Sequence, residues 1–408
     1  MRSGWEIKTL GETLTIERGG SPRPIEKYLT SATDGINWIK ISDATASDKF
    51  IYTTKEKITQ EGLPRTRLVH SGDFILSNSM SFGRPYIMKT TGCIHDGWLV
   101  LKQDKHQYFD IEFLYYLLSS PIVFEQFNSK AAGSTVRNLN ISLVSTVSVP
   151  IPPLPEQKRI VSILDEAFSA IATAKANAEQ NLKNAKELFE SYLQSVFESK
   201  THGKKFETLE SLCDLVVDCE HKTAPIQETG YPSIRTPNIG KGQLLLDGVY
   251  RVSEETYKAW TRRAVPQADD LILAREAPAG NIAVIPENIK VCLGQRTVLI
   301  RPKKNRLNSK YLASLILSKD VQMSLLSHSV GATVEHVNMK DIRAFKIYDL
   351  SPLEEQSKVV SKLDALSNES KRLESIYQQK ITDLEEMKKS ILQKAFSGKL
   401  NLMKETDV

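Results

Sequence analysis

The sequence predicts an α+β chain built as a pseudo-twofold tandem repeat, with two similar mixed α/β domains joined by two long helices that form an antiparallel coiled coil. Three observations predict it: short motifs that return in the same order about 199 residues apart, two long stretches with heptad spacing, and two segments of short apolar runs separated by turn formers. The expected boundaries are 1–152 for the first mixed domain, 153–200 for a central helical spacer, 201–351 for the second mixed domain, 352–400 for a C-terminal helical spacer and 401–408 for a tail.

The repeat is carried by four matches. Ser71-Gly72-Asp73-Phe74-Ile75-Leu76 resembles Gln267-Ala268-Asp269-Asp270-Leu271-Ile272-Leu273. Gly133-Ser134-Thr135-Val136 with Asn138-Leu139-Asn140 returns as Gly331-Ala332-Thr333-Val334 with His336-Val337-Asn338, an offset of 198. Leu154-Pro155-Glu156-Gln157 with Val161, Leu164 and Asp165 returns at an offset of 199 as Leu353-Glu354-Glu355-Gln356 with Val360, Leu363 and Asp364. Leu193-Gln194 with Phe197 returns as Leu392-Gln393 with Phe396 at the same offset.

The helices follow from periodicity. Leu164, Ala167, Ile171, Ala174, Ala178, Asn181, Ala185, Leu188 and Tyr192 alternate steps of 3 and 4, the spacing of a coiled-coil seam. The same frame moved by 199 gives Leu363, Leu366, Ser370, Leu373, Tyr377, Lys380, Leu384, Met387 and Ile391. Neither stretch contains Pro or Gly inside, while Pro152, Pro153 and Pro155 mark the first entry and Pro352 the second. At about 1.5 Å per residue, roughly 43 residues make a rod of about 65 Å. One such stripe would fit a helix packed on its own domain; two matched ones of this length fit pairing with each other.

The segments between the rods hold strand-like runs: Asn37-Trp38-Ile39-Lys40-Ile41, Phe74-Ile75-Leu76, Trp98-Leu99-Val100-Leu101, Leu271-Ile272-Leu273, Ile282-Ala283-Val284-Ile285 and Thr297-Val298-Leu299-Ile300. One helix is expected near the end of each, at Ile111 to Asn128 and at Ser309 to Ser327. The net charge of +5 is mild, and it divides as +2 over 1–150, −1 over 151–200, +4 over 201–350 and 0 over 351–408. The basic excess therefore sits in the two mixed domains, and any affinity for an anionic partner must come from local clustering there. The start Met1-Arg2-Ser3-Gly4-Trp5-Glu6 has no apolar secretory stretch, and no window approaches the roughly 20 apolar residues of a membrane span, so a cytoplasmic protein is expected.

Several chemistries lack their motifs. Gly240-Lys241-Gly242 has neither the leading Gly nor the trailing hydroxyl of a phosphate loop. Ile151-Pro152-Pro153-Leu154 has the wrong flanks for an amino-methyltransferase tetrapeptide, and Glu6-Ile7-Lys8 lacks the preceding strand Asp of a carboxylate nuclease. Cys93, Cys213, Cys219 and Cys292 are scattered with no Cys-x-x-Cys pair, and Cys93-x-His95 has no second ligand pair, so free buried thiols and no metal site are expected. No catalytic residue is assigned.

Pro152-Pro153-Leu154-Pro155-Glu156-Gln157-Lys158-Arg159-Ile160-Val161 and Leu392-Gln393-Lys394-Ala395-Phe396-Ser397-Gly398-Lys399-Leu400, set in this repeat, resemble the specificity subunit of type I restriction-modification systems across almost the whole chain. One departure is Ser351-Pro352-Leu353, with a single proline where the first rod has three. The resemblance implies a non-catalytic subunit whose mixed domains are target-recognition domains, each reading one half of a bipartite double-stranded DNA site. It implies that two copies of the modification methyltransferase dock on the rods and that motor-nuclease restriction subunits join them. No cofactor is then bound by this chain: S-adenosylmethionine belongs to the methyltransferase, ATP and magnesium to the motor-nuclease. Rod length becomes a ruler for the gap between half-sites.

Arg and Lys can read guanine edges or phosphates, Asn and Gln read adenine, and Ser and Thr serve either. Candidate DNA contacts in the first domain are Arg23, Lys40, Ser77, Asn78, Ser79, Arg84, Ser134, Thr135, Arg137 and Asn138. In the second they are His221, Lys222, Arg235, Asn238, Arg275, Gln295, Arg296, Thr333 and His336. A helical-stalk adaptor that binds proteins rather than DNA would share this layout, and steep salt dependence is what separates DNA binding from it.

Overall fold

Leu154–Phe197 and Leu353–Phe396 form two helices of 44 residues each in the computed structural model, which describes residues 4–47, 49–78, 82–104, 106–131, 138–198, 203, 205–326 and 336–400. The chain divides into two compact units: Met1–Ala178 with Gln379–Val408, and Glu179–Gln378. Each unit thus contains one mixed domain, part of the first long helix and part of the second.

In unit 1 a five-stranded sheet runs in the order Thr15–Arg18, Trp98–Lys102, Phe74–Ser77, Pro85–Met88, Phe50–Ile51. Its neighbours are antiparallel except for the last pair. Residues 74–76 and 98–101 of the central strands are apolar throughout because both faces are covered. Phe74, Leu76, Leu99 and Leu101 face one core, with Phe113, Phe127, Leu164 and Phe396. Ile75, Trp98 and Val100 face the other, with Ile39 and Tyr86. A second five-stranded sheet takes the order Leu29–Thr30, Glu56–Ile58, Ile36–Ile39, Gly92–Ile94, Arg67–Val69.

Unit 2 repeats the plan. Its larger sheet runs Cys213–Asp218, Thr297–Pro302, Leu271–Ala274, Ile282–Val284, Gly242–Gln243. Leu271, Leu273, Val298 and Ile300 face one core and Ile272 and Leu299 the other. A three-stranded sheet of Arg251–Val252, Tyr231–Ile234 and Cys292–Leu293 lies in place of the second sheet of unit 1.

The single helix expected near the end of each domain is two helices, Ile111–Leu118 with Pro121–Ala131 and Ser309–Leu317 with Lys319–Leu326. The break is a buried serine at equivalent positions. Ser120 donates its hydroxyl to Leu117 O at 2.6 Å, and Ser318 donates to Leu315 O at 2.7 Å. Pro121 then opens the next helix of unit 1 at the one position where a missing N–H costs nothing.

Both long helices begin at the same repeat position, so the single proline at 352 stops the preceding strand as well as three do. Just inside each start a fully buried glutamine ties the helix to its domain. Gln157 accepts the Asp110 N–H (2.8 Å) and donates to Tyr108 O (2.8 Å) and Pro152 O (2.9 Å). Gln356 accepts the Asn308 N–H (2.8 Å) and donates to Arg306 O (2.9 Å) and Ser351 O (2.7 Å).

The paired helix segments are antiparallel within each unit. In unit 1, Lys388 lies 5.1 Å from the Phe168 ring and Lys175 bonds Glu385 at 2.7 Å; in unit 2, Ser370 donates to Ala185 O at 2.6 Å and Lys362 lies 4.8 Å from the Tyr192 ring. Leu164, Ile171, Ala178, Ala185 and Tyr192 on one helix and Leu363, Leu366, Leu373, Tyr377, Leu384 and Ile391 on the other are buried or half-buried. Four seam expectations are corrected: Asn181 and Lys380 are exposed, and Leu188 is 53% and Met387 51% exposed. An undistorted helix drifts against a strict seven-residue repeat, and the inward place falls one residue later. Phe189 takes it on the first helix.

Candidate nucleic-acid interface

In unit 2 four loops meet beyond one end of the larger sheet. The Arg275 N–H donates to Arg296 O (2.9 Å), the Val337 N–H to Arg275 O (2.9 Å) and the Cys219 N–H to Thr297 O (3.1 Å). The Arg275 side chain, 11% exposed, reaches Asp218 at 2.7 Å, donates its Nε–H to Val337 O at 3.0 Å and sits 3.1 Å from His336 Nε2. His221 lies 3.3 Å from the same Asp218 carboxylate. Glu276 holds Arg296 (2.9 Å) and His336 (3.4 Å), and Gln295 approaches His221 O at 3.4 Å. Burial pushes the Cys219 thiol up, so it is an inert acceptor for the Arg296 N–H at 3.1 Å.

Unit 1 builds the same node with other side chains. The Asn78 N–H donates to Gly97 O (3.0 Å), the Leu139 N–H to Asn78 O (2.8 Å) and the Gly19 N–H to Trp98 O (3.0 Å). Asn78 and Arg275 therefore hold one backbone position of the repeat. Here the organising carboxylate is Asp96, which takes the Ser21 hydroxyl at 2.7 Å and Arg23 at 3.3 Å. Its carbonyl accepts from Arg18 Nε (3.1 Å) and Asn78 Nδ2 (2.7 Å). The Ser21 hydroxyl holds the Asp96 carboxyl below its ordinary value. Burial lowers the His95 pKa, in keeping with its Nδ1 accepting the Gly97 N–H at 2.9 Å.

With this geometry in hand, comparison with known proteins identifies the chain. A family model described as the type I restriction modification DNA specificity domain matches it twice, over residues 2–184 and 203–383. The chain belongs to the type I restriction-modification DNA specificity family. Each match runs from the start of a mixed domain well into its long helix. The chain is similar to the type I restriction enzyme MjaVIII specificity subunit of Methanocaldococcus jannaschii, 22% identical over 98% of this chain and 93% of the relative. It is also similar to the EcoBI specificity subunit of Escherichia coli, 20% identical over 90% and 80%. The solved HsdS subunit of Thermoanaerobacter tengcongensis shares the fold, with a TM-score of 0.66, 21% identity and 98% of both chains covered. So does a chain of a type I restriction-modification system solved for its complex assembly, with a TM-score of 0.76, 20% identity and 98% and 99% coverage.

In this specificity-family chain the nodes collect Arg23, Asn78, His221, Arg275, Gln295, Arg296 and His336, and Asn138 is half-buried next in the chain to Leu139. Arg23 is the most open of the paired cations, its side chain 81% exposed. Lys222 and Arg84 are exposed, Arg84 lying 5.3 Å from the Tyr86 ring. Three candidates are corrected. Ser77 and Asn78 are 0% and 1% exposed, and Asn238 is 7% exposed. Their polar atoms are used inside the domain: Ser77 Oγ accepts the Arg84 N–H at 3.1 Å, and Asn238 accepts the Arg235 N–H (3.2 Å) and donates to Leu245 O (3.3 Å). Arg275 is likewise a positioning residue rather than an open cation. Ser79, Ser134, Thr135, Arg137 and Thr333 lie outside the described residues. Sequence reasoning missed Arg18, Asp96, Asp218 and Glu276; Arg18 and Asp218 close matched strands of the two repeats, and Asp96 and Glu276 lie in connections between strands, beside the loop candidates.

Gly19 makes the node of unit 1 possible, because a Cβ there would stand 2.1 Å from His95 O. Gly19→Ala must displace the turn that carries Asp96, and an overpacking cost of about 1–3 kcal/mol is expected. Urea unfolding measures it, and a midpoint equal to that of the unmodified chain would count against the close approach.

Proposed function

We propose that this chain is the DNA-reading subunit of a type I restriction-modification complex, each unit taking one part of a split double-stranded site through its loop node. The observation that carries this reading is one backbone frame used twice with exchanged side chains. Asn78 and Arg275 share a backbone position, and so do the pairs Asp96 with Gln295 and Gly97 with Arg296 around them. Bases are told apart by where donors and acceptors stand, so two readers of different sequences need a constant frame and variable side chains.

In this reading the chain is not an enzyme and holds no cofactor. Two copies of a modification methyltransferase bring S-adenosylmethionine, and motor-nuclease subunits bring ATP and magnesium. We place the assembly in the cytoplasm; no helix among the described residues is long and apolar enough to cross a membrane.

The test is methylome sequencing of the host with and without this gene, the neighbouring methyltransferase gene left intact. The expected result is loss of methylation at one motif made of two short defined parts around a fixed gap. An unchanged methylome, together with partner binding insensitive to salt, would point to a protein-binding adaptor instead.

A further inference from the structure

Lys40 and Arg235 occupy one place in the repeat. Each follows a short strand, Ile36–Ile39 or Tyr231–Ile234, that pairs in parallel with Gly92–Ile94 or Cys292–Leu293. Each has its N–H taken by the side chain three residues on, Asp43 at 2.9 Å or Asn238 at 3.2 Å. The neighbouring strand puts Glu56 opposite Trp38 in unit 1, and in unit 2 the Ser233 N–H donates to Tyr250 O at 2.8 Å. The two cations then differ. Lys40 Nζ is neutralised by Glu56 at 2.5 Å. The Arg235 guanidinium lies 3.8 Å from the centroid of the Tyr250 ring, and its buried Nε has no hydrogen-bond partner among the described residues. Gly294 gives this arginine its room, since a Cβ there would meet Arg235 Cγ at 2.5 Å. The next residues of that turn are Gln295 and Arg296 of the loop node.

A guanidinium stacked on an aromatic face keeps few rotamers and offers a planar fork of N–H donors at its edge. That fork fits two acceptors side by side, as on a phosphate or on guanine O6 and N7. Phosphates occur in every site, so a cation that only tracks the backbone should persist in both repeats. At this position one repeat cancels the charge and the other presents it. A position that changes with the target is suited to reading a base.

Resting on the reading of the chain as a DNA specificity subunit, we propose that Arg235, held flat by Tyr250, reads a guanine in the half-site taken by unit 2. Lys40, paired to Glu56, reads no guanine at the matching position of the other half-site.

The test uses the full chain assembled with its modification subunits and a duplex library randomised over both half-sites. The unmodified assembly is expected to select a split site with a guanine in the half-site that depends on unit 2. Arg235→Ala should lose preference at that one position by roughly 5- to 150-fold, the range of one bidentate contact, and leave the other half-site unchanged. Arg235→Lys keeps the charge without the fork and should lose it too; it carries the test alone if Arg235→Ala fails to fold. Unchanged selection with either variant overturns the proposal. Equal weakening on every sequence with a shallower salt dependence also overturns it, because that is a phosphate contact. An unmodified assembly that selects no split site overturns the specificity reading itself and this proposal with it.

Discussion

A chain carrying Gln157→Leu is expected to lose about 3–9 kcal/mol of stability in unit 1, and Gln356→Leu the same in unit 2. Leucine is close to glutamine in volume, so packing changes little. What changes is that Asp110 N–H, Tyr108 O and Pro152 O lose their partners in a fully buried place, at roughly 1–3 kcal/mol for each group left unsatisfied. The effect spreads, because Asp110 and Asn308 are the residues whose side chains cap the helices Ile111–Leu118 and Ser309–Leu317. Glutamine is also the only side chain of this length that accepts once and donates twice. Gln157→Glu would turn a carboxylate toward two carbonyls and should be worse than leucine at neutral pH. Its folded pKa must then lie above the unfolded value of about 4.3, so its stability should recover as pH falls through the folded pKa toward the unfolded one. Urea unfolding of the three variants against the unmodified chain decides it. Midpoints that do not move would mean water replaces the amide.

The positions that the repeat exposed in the sequence are those with a packing reason to stay the same. Gln157 and Gln356, Leu164 and Leu363, and Phe197 and Phe396 recur because each meets the same neighbours in its own unit. Phe396 packs on Phe113 at 5.3 Å, and Phe197 on Tyr311 at 5.1 Å. The central strands were legible as unbroken apolar runs because both sheet faces are buried. The helix breaks at Ser120 and Ser318 were not, since the apolar period continues across them and a hydroxyl bonded to its own turn leaves no mark in the pattern. The choice of Phe189 over Leu188 was beyond periodicity too, because neighbouring apolar residues differ only in how the helix drifts. Among the candidate DNA contacts residue type alone misled in one direction. Asn78 and Asn238 have side chains that suit a base edge, yet each satisfies backbone inside its domain. The carboxylates Asp96 and Asp218 were passed over because a search for DNA contacts looks for donors, whereas what fixes a donor is its acceptor. The stack of Arg235 on Tyr250 joins residues just beyond the strands Tyr231–Ile234 and Arg251–Val252 and could only come from the fold.

Removing the acceptor in unit 2 should have the second large effect. Asp218→Ala leaves the Arg275 guanidinium, 11% exposed, with Val337 O and the His336 ring and no carboxylate. Breaking a buried ion pair from one side costs about 3–5 kcal/mol, and the partial exposure of both partners places this case near the lower end. The loss is also specific to one node. Arg275 ties the loop after Leu271–Ala274 to the backbone of both Arg296 and Val337, so a displaced guanidinium loosens the segments bearing Gln295, Arg296 and His336 together. Competition between duplexes altered in one half at a time should therefore show discrimination lost in a single half-site and kept in the other. A double variant separates positioning from direct reading. If Asp218 acts only by holding Arg275, then Asp218→Ala with Arg275→Ala should be no worse than Arg275→Ala alone, in stability and in discrimination. Additive losses would instead give Asp218 a role of its own, through His221 at 3.3 Å or through the bound strand.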